Sequence, residues 1–355
     1  MAITTQKMVG KVQTVSGPID AEDLGITLPH EHVLVDTSPW FFVEPKDTGL
    51  KKLAYEPVTP KNLSWLWHNC SSNLENVRLL DEKLAIEELI RFKEEGGSTV
   101  VEVTSVNLGR DPSGLLRISS ATGLNIVMGS GYYQGVSPVY DQLTEEEITH
   151  EIVTDIQVGV GNSNVCAGII GEIGCSWPLT NREKKSLRAA ALAQQHTGVA
   201  ITCHSSPHVD SPLEIIKELS SAGADVSRVV ISHVDRVKRS LDTLDELAKT
   251  GCYLEYDLFG GPLFDPIRPN TPVYDRLCDR ERIEQIIELI NQGYLEQILI
   301  SQDLCMKIRL IRYGGNGYAH ILCNIIPQML ARGITTKQIH TILIENPKRM
   351  LCRSL

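Results

Sequence analysis

Eight short β-branched runs recur along the chain, each followed by a stretch with helical spacing, and this alternation constrains the fold more than any other feature. The runs fall at 25–32, 98–104, 125–132, 167–174, 200–205, 228–235, 253–258 and 297–303. Segments such as Thr99-Val100-Val101-Glu102-Val103 and Val229-Val230-Ile231-Ser232 suit strands covered on both faces, as in a parallel sheet. Between the runs, Thr180-Asn181-Arg182-Glu183 reads as a capping box opening a helix that stops at Gly198. Ser211-Pro212-Leu213-Glu214 reads as a second box, with proline in the first turn, where its missing N–H costs nothing. Leu241, Leu244, Leu247 and Ala248 form an apolar stripe that ends before Gly251. Further helices fit 81–95, 145–158 and 280–292, with two more after the last run. Eight strands alternating with helices predict the α/β class, as a (β/α)8 TIM barrel. A doubly wound open sheet would also alternate, but no run leads into GxGxxG or GxxxxGK[ST].

Composition narrows the partners. With 42% apolar and 22% charged residues the chain is an ordinary soluble globular sequence. Its formal net charge of −10 argues against nucleic acid, whose binding is driven by clustered lysine and arginine. No apolar run approaches the roughly 18–20 residues that span a bilayer, and residues 1–20 lack the apolar core of a secretory signal. The nine cysteines, at 70, 166, 175, 203, 252, 278, 305, 323 and 352, include no CxxC pair and read as reduced thiols. The expectation is a cytosolic protein with no membrane or nucleic-acid partner. The triplets Asn62-Leu63-Ser64 and Asn69-Cys70-Ser71 carry no weight as glycosylation sites without secretion.

No long Gly/Ser linker or charge block divides the sequence, so residues 1–355 are read as a single domain with a short N-terminal strand extension. Two connections exceed what a barrel needs. Residues 37–79 contain Trp40, Phe41, Phe42, Trp65 and Trp67, and residues 259–279 are rich in glycine and proline. Loops of this length usually serve as lids or binding walls. For the tryptophans a peripheral packing patch, or the contact of a homodimer, is an equal alternative.

In a barrel the reactive groups lie at the C-terminal ends of the strands. Those ends carry His30 and His32, Glu102, Glu172, His204, His233 with Asp235, Glu255 with Asp257, and Asp303. His30 and His32 are two apart, so on an extended strand both imidazoles leave the same face and can reach one divalent cation. His204, His233 and Asp303 supply further ligands, and Glu172 offers two oxygens. A carboxylate of that kind can bridge two ions roughly 3.5–4 Å apart.

The stretches Gly17-Pro18, Leu28-Pro29-His30-Glu31-His32-Val33, Gly171-Glu172-Ile173-Gly174, Cys203-His204, Ser232-His233-Val234-Asp235, Gln302-Asp303 and Glu345-Asn346-Pro347 together resemble the phosphotriesterase family of the amidohydrolase superfamily. The likeness covers nearly the whole chain, in the family's order. It implies two divalent metal ions, usually Zn2+, with His30, His32 and Asp303 on the more buried ion and His204 and His233 on the more exposed one. Glu172 would bridge both, with a shared hydroxide. Phosphotriesterases and lactonases of the family carry a carboxylated lysine at that bridging position. Glutamate is charged without CO2 and still bridges, but the change points to a separate, animal branch. For that branch the resemblance implies an amidase of N-acetylated amines or amino acids, N-acetyltaurine foremost. The hydroxide would attack the acetyl carbonyl, polarised by the more exposed ion, with Asp303 passing the proton to the leaving amine. His233 would be steered through its other ring nitrogen by Asp235 or a backbone carbonyl, unless Asp235 is a simple strand-end residue.

A small anionic substrate needs local cations despite the acidic total. Lys307, Arg309 and Arg312 follow the last run within ten residues of Asp303, and Tyr132, Tyr133 and His208 sit just past two others. Each is a candidate for the substrate pocket, with a solvated loop as the alternative for the three cations. Three rival functions remain on this reading. One is a lactonase or phosphotriesterase on the same scaffold. Another is a metal-free retaining glycosidase pairing Glu172 with Glu255, which leaves four histidines without a role. The third is a metal-stabilised scaffold without turnover.

Overall fold

The computed structural model describes residues 8–134, 142–262, 274 and 276–353. The chain opens with a hairpin, β1 (Lys11–Thr14) and β2 (Gly17–Asp20), followed by β3 (Thr27–Glu31). A short antiparallel pair, β4 (Val35–Asp36) with β5 (Arg78–Leu79), clamps the base of the first long loop. The remaining strands are β6 (Thr99–Glu102), β7 (Asn125–Ser130), β8 (Ile169–Gly174), β9 (Ile201–His204), β10 (Val229–Ser232), β11 (Tyr253–Tyr256) and β12 (Ile298–Ile300). Eight of these form one sheet in the order β12–β11–β10–β9–β8–β7–β6–β3, every neighbour parallel. Its two edges meet: the Asp303 N–H donates to the His30 carbonyl at 3.2 Å, and the His30 N–H donates to Ser301 Oγ at 3.1 Å. The sheet is thereby closed into the expected barrel.

Several of the strands stop short of the apolar runs that announced them, and the reason is chemical. At the C-terminal ends the backbone leaves the ladder and bonds side chains instead. Glu31 accepts from the N–H groups of Gln302 and Leu304 at 2.9 and 3.0 Å, and Glu102 accepts from Val33 N–H at 3.1 Å. These carboxylates replace ladder bonds with bonds to fixed side chains, which holds the barrel mouth open but ordered.

The core has two layers. Inside the barrel, Val101, Val127, Ile169, Val230 and Leu299 meet Val12, Leu24, Met350 and Leu351, so the hairpin and the last helix plug the bottom. Outside it, residues such as Leu28, Val100, Ile126, Ile201 and Ile231 pack against the helices through Leu84, Leu115, Leu187, Ile215 and Ile283. Each such side chain, fully buried, contributes about 1.5–3 kcal/mol. The bottom plug is tied to the chain's other end by Gly10 N–H to Arg353 C=O at 3.2 Å and Arg353 N–H to Lys11 C=O at 3.1 Å.

Helix Asn181–Thr197 carries the expected capping box of Thr180 and Glu183 and ends at Gly198 with φ +70°. The second box does not form. Pro212 sets the start of helix Ser211–Ser221 one residue earlier, with Asp210 at the cap position making no side-chain bond. Ser211 Oγ accepts instead from Ser206 N–H at 3.0 Å, and Glu214 turns to Leu179 N–H.

The long loop divides its aromatics between the two uses expected of it. Trp65 and Trp67 pack on a satellite core of Val58, Leu66, Cys70 and Ile308. Trp40 and Phe41 instead reach the barrel mouth, each with its ring centre 6.2 Å from that of Tyr133. Of the glycine- and proline-rich connection, 263–273 and 275 lie outside the described residues. No helix among the described residues is long and apolar enough to cross a membrane.

One buried ion pair anchors the mouth from outside. Arg282, on helix Asp279–Asn291, donates from Nε to Asp235 at 2.5 Å and from Nη1 to Asp279 at 3.0 Å, itself fully buried. Removing one partner of such a pair strands a charge away from water. Arg282→Met is therefore expected to destabilise the fold by about 3–5 kcal/mol, read as a lowered urea midpoint with unchanged slope. A loss below about 1 kcal/mol would show that Asp235 finds other compensation.

Candidate metal centre

The barrel mouth gathers six side chains from five strand ends. His30 and His32 come from β3 and the residue after it, Glu172 from β8, His204 from β9, His233 from the end of β10, and Asp303 from beyond β12. Gly171 must precede Glu172, because its φ is +116° and a Cβ there would lie 2.3 Å from the Thr202 carbonyl oxygen. His233 and Asp303 adopt φ +59° and +47°, a left-handed conformation that costs non-glycine residues roughly 1–2 kcal/mol each. Such outliers persist where the surroundings over-determine them, as at a functional site.

The six fall into two nests that share one carboxylate. In the first, His32 Nε2 lies 3.5 Å from Glu172 Oε1 and 3.3 Å from Asp303 Oδ1, while His30 Nε2 lies 3.6 Å from Glu172 Oε2 and 4.0 Å from Asp303 Oδ1. In the second, His204 Nδ1 lies 3.1 Å from Glu172 Oε2 and 2.7 Å from His233 Nε2, and His233 Nε2 is 3.5 Å from the same oxygen. His30, His32 and Glu172 in the first, and Glu172, His204 and His233 in the second, have the donor type and closeness to hold a cation. A metal suits the first nest for a further reason: His30 Nε2 is buried there with no hydrogen-bond partner. An orphaned buried polar atom costs about 1–3 kcal/mol, and a coordinated ion would satisfy it. Glu172 reaches into both nests without leaving its place.

The opposite ring nitrogens are held by a second set of groups. His30 Nδ1 faces Glu255 Oε2 at 3.0 Å. His32 Nδ1 faces Thr104 Oγ1 at 2.8 Å, and that hydroxyl donates to Glu102 at 2.5 Å, so it accepts from the imidazole. His233 Nδ1 faces Asp257 Oδ1 at 2.7 Å while its backbone N–H donates to the other carboxylate oxygen at 3.0 Å. With Nδ1 carrying the proton, Nε2 of each ring points inward. Asp257, rather than Asp235 or a carbonyl, thus steers His233; Asp235 is engaged by Arg282. Glu255 lies beneath His30 and is fully buried, so it cannot face Glu172 across a sugar, and the glycosidase reading loses its second carboxylate.

Electrostatics divides the nests. Burial opposes charge on His30, yet Asp257, Glu255 and Glu172 raise its pKa to about 10. His32 likewise rises well above the usual histidine range, burial being outweighed by Asp303 and Glu172. His204 is driven down to about 3 by burial and by the charges of Arg236 and His233, and burial with Arg236 also lowers His233. Against its own burial, Glu172 is held well below the carboxylate range by His204, His233 and His32. The imidazoles of the first nest thus carry an added proton at neutral pH, while those of the second are neutral.

Above the nests opens a cavity of about 600 Å³ lined by Phe41, Tyr133, Trp177, His204, His208, Arg236, Arg276, Asp303, Met306 and Arg309, among others. Three of the residues expected in the pocket lie elsewhere, Tyr132, Lys307 and Arg312, the last exposed with Nη1 3.7 Å from Glu87. The Tyr132 hydroxyl donates to Glu151 on the neighbouring helix, and it is Tyr133 whose hydroxyl meets His204, 3.1 Å from Nε2. Lys307 Nζ donates to Glu75 at 2.6 Å and lines a separate surface cleft. Adjacent side chains leave an extended segment on opposite faces, which accounts for the tyrosine exchange. Arg309 does reach the cavity wall, but its donors go to the carbonyls of Gln302, Asp303 and Phe259 at 2.5, 2.8 and 2.6 Å. His208 forms part of the wall, stacked face to face on Trp177. Arg236, which sequence reasoning passed over, lies 3.0 Å from His204 Nε2 through Nη1. Its only signal was its place three residues after His233.

A barrel whose mouth holds paired cation nests sharing a carboxylate is the framework of a metal-dependent hydrolase, and comparison with known proteins puts this chain in that class. The chain belongs to the phosphotriesterase family, which it matches over residues 10–351. It is 44% identical over 345 residues to the N-acetyltaurine hydrolase of Xenopus tropicalis, covering 96% of this chain and 98% of that one. The N-acetyltaurine hydrolase of Dictyostelium discoideum is 43% identical over 365 residues, covering 97% and 98%. Among solved structures, a resiniferatoxin-binding protein from Rhodobacter sphaeroides superposes with a TM-score of 0.91 at 34% identity, over 96% of this chain and 95% of that one.

Because His30 and His32 are protonated in the metal-free state, a cation entering their nest must displace protons. Raising the pH removes that competition, so affinity rises with pH. Chelator competition between pH 6 and 8 should show zinc binding tightening by roughly tenfold or more per pH unit. Affinity that does not change over this range would mean the two imidazoles are not ligands.

Proposed function

We propose that this enzyme hydrolyses the amide bond of small N-acetylated amines or amino acids that end in an anion, N-acetyltaurine to taurine and acetate foremost. The observation that carries the reading is Glu172, one buried carboxylate within 3.1–3.6 Å of ring nitrogens in both nests. Two relatives more than 40% identical over nearly their full length, both N-acetyltaurine hydrolases, support the substrate class. His30, His32, Asp303 and Glu172 would hold one divalent ion, and His204, His233 and Glu172 the other, with zinc the first candidate. Bound there, such ions supply a water ionised near neutral pH and an electrophile for the amide carbonyl.

The chain's own groups complete the reaction. Against its burial, Asp303 is held below the ordinary carboxylate range by His32, His233 and His30, so it is ionised at neutral pH. Its side chain is still 13% exposed at the cavity floor. There it can take the proton of the attacking water and return it to the departing amine, a role contributing about 10²–10⁴-fold. Burial and Glu172 raise the Tyr133 phenol well above its usual range, so it stays a hydrogen-bond donor beside His204. Phe41, Trp177, Leu258 and Met306 wall the cavity and limit water around the reacting bond.

We place the reaction in the cytosol, a reading supported by nine cysteines that are all free.

Replacing His30 and His32 together by alanine should remove bound metal and N-acetyltaurine turnover in parallel, followed by elemental analysis and release of acetate. Activity that survives metal loss would overturn the metal mechanism. In a parallel screen the wild-type enzyme should turn over N-acetyltaurine more than roughly tenfold faster, per kcat/KM, than acyl lactones or aryl phosphotriesters. The reverse order would move the assignment to the lactonase or phosphotriesterase alternative.

A further inference from the structure

The cavity is richer in cations than an acidic protein leads one to expect. The chain carries a formal charge of −10, yet Asp303 is the one carboxylate among the lining residues described, against Arg236, Arg276 and Arg309. Arg309 is committed to three backbone carbonyls. Arg236 is placed differently. Among the described residues its guanidinium makes one hydrogen bond, from Nη1 toward His204 Nε2 at 3.0 Å, and no carboxylate pairs with it. Its Nε is buried without a partner. Arginine presents its donors as a planar fork that matches carboxylate, sulfonate or phosphate oxygens, and an unpaired one over a reaction centre is held ready for an anion.

Position fixes which part of a substrate it meets. His204 turns Nδ1 to Glu172 and His233, and turns Nε2 toward Arg236 and the Tyr133 hydroxyl. The guanidinium therefore stands one imidazole's width from the second nest, on the open side. With an acyl carbonyl over that nest, a short anionic tail on the amine is the part of the substrate that faces the guanidinium. A neutral tail would leave the guanidinium unpaired.

We propose that Arg236 is the anchor for the anionic end of the substrate and selects short N-acylated amino sulfonates or amino carboxylates over neutral amides. The inference rests on the amidase reading above and adds the residue that sets the charge of the amine. Arg236 is a binding residue here and takes no part in proton transfer.

The test compares N-acetyltaurine with N-acetylethanolamine, its neutral counterpart of equal chain length, on the metal-loaded wild type and on Arg236→Met and Arg236→Lys. The wild type should prefer the sulfonate. In Arg236→Met the ratio of the two kcat/KM values should fall roughly 10- to 100-fold, carried mainly by KM, as expected for losing a charged hydrogen bond. Arg236→Lys should retain part of the preference, because the charge remains while the fork is lost. Equal losses on both substrates would assign Arg236 to supporting His204 and overturn the proposal, as would an unchanged ratio. Calorimetric binding of taurine to the same three proteins needs no turnover. If it weakens in Arg236→Met while neither amide is hydrolysed by the wild type, the anchor stands and the amidase reading fails. If it does not weaken, the anchor is wrong.

Discussion

A carboxylate that cannot move holds the mouth of this barrel together. Glu172 is buried, seated behind a glycine that tolerates no side chain, and surrounded by four imidazoles. A charge taken out of water is stable only when its neighbours replace the lost hydration. Here the replacement comes from His30, His32, His204 and His233, which in turn need Glu255, Thr104 and Asp257 to orient them. Remove the central carboxylate and the two nests become separate, poorly matched sets of nitrogens. The strained backbone at His233 and Asp303 belongs to the same economy, because packing around the cluster is what keeps those residues in the left-handed region.

How much of this was written in the sequence depends on the range over which each interaction acts. The barrel was legible because apolar runs and helix caps are local: the runs at 98–104, 167–174 and 228–235 mark the strands that form, and Thr180 with Glu183 caps as read. The six gathered side chains were legible too, since strand ends in this fold point to one mouth. The supporting groups were only half visible. Glu255 and Asp257 stood out at a strand end, but which histidine each serves depends on the pairing of β10 with β11 and the closure of β12 on β3. The Ser211 box failed because Pro212 moved the helix start, a shift of one residue that local pattern does not resolve.

The cations show the same limit more sharply. Lys307 and Arg309 lie within six residues of Asp303, yet one is neutralised by Glu75 from the long loop and the other spends its donors on carbonyls. Nearness along the chain selected them, and long-range partners disqualified them from facing the cavity freely. Arg236 is 67 residues before Asp303 in sequence and lines the same cavity. The apolar residues of 37–79 divide in the same way, Trp65 and Trp67 building a satellite core and Phe41 turning to the cavity.

The seam between β3 and β12 has a consequence for how the molecule comes into being. His30 and Asp303, 273 residues apart, meet where the cylinder is zipped, and Ser301 and Glu31 cross the same joint. Without β12 and Asp303 the sheet lacks one side of this seam and the mouth lacks one of its six gathered side chains. The full cluster at the mouth is therefore assembled only once this last strand has joined the sheet.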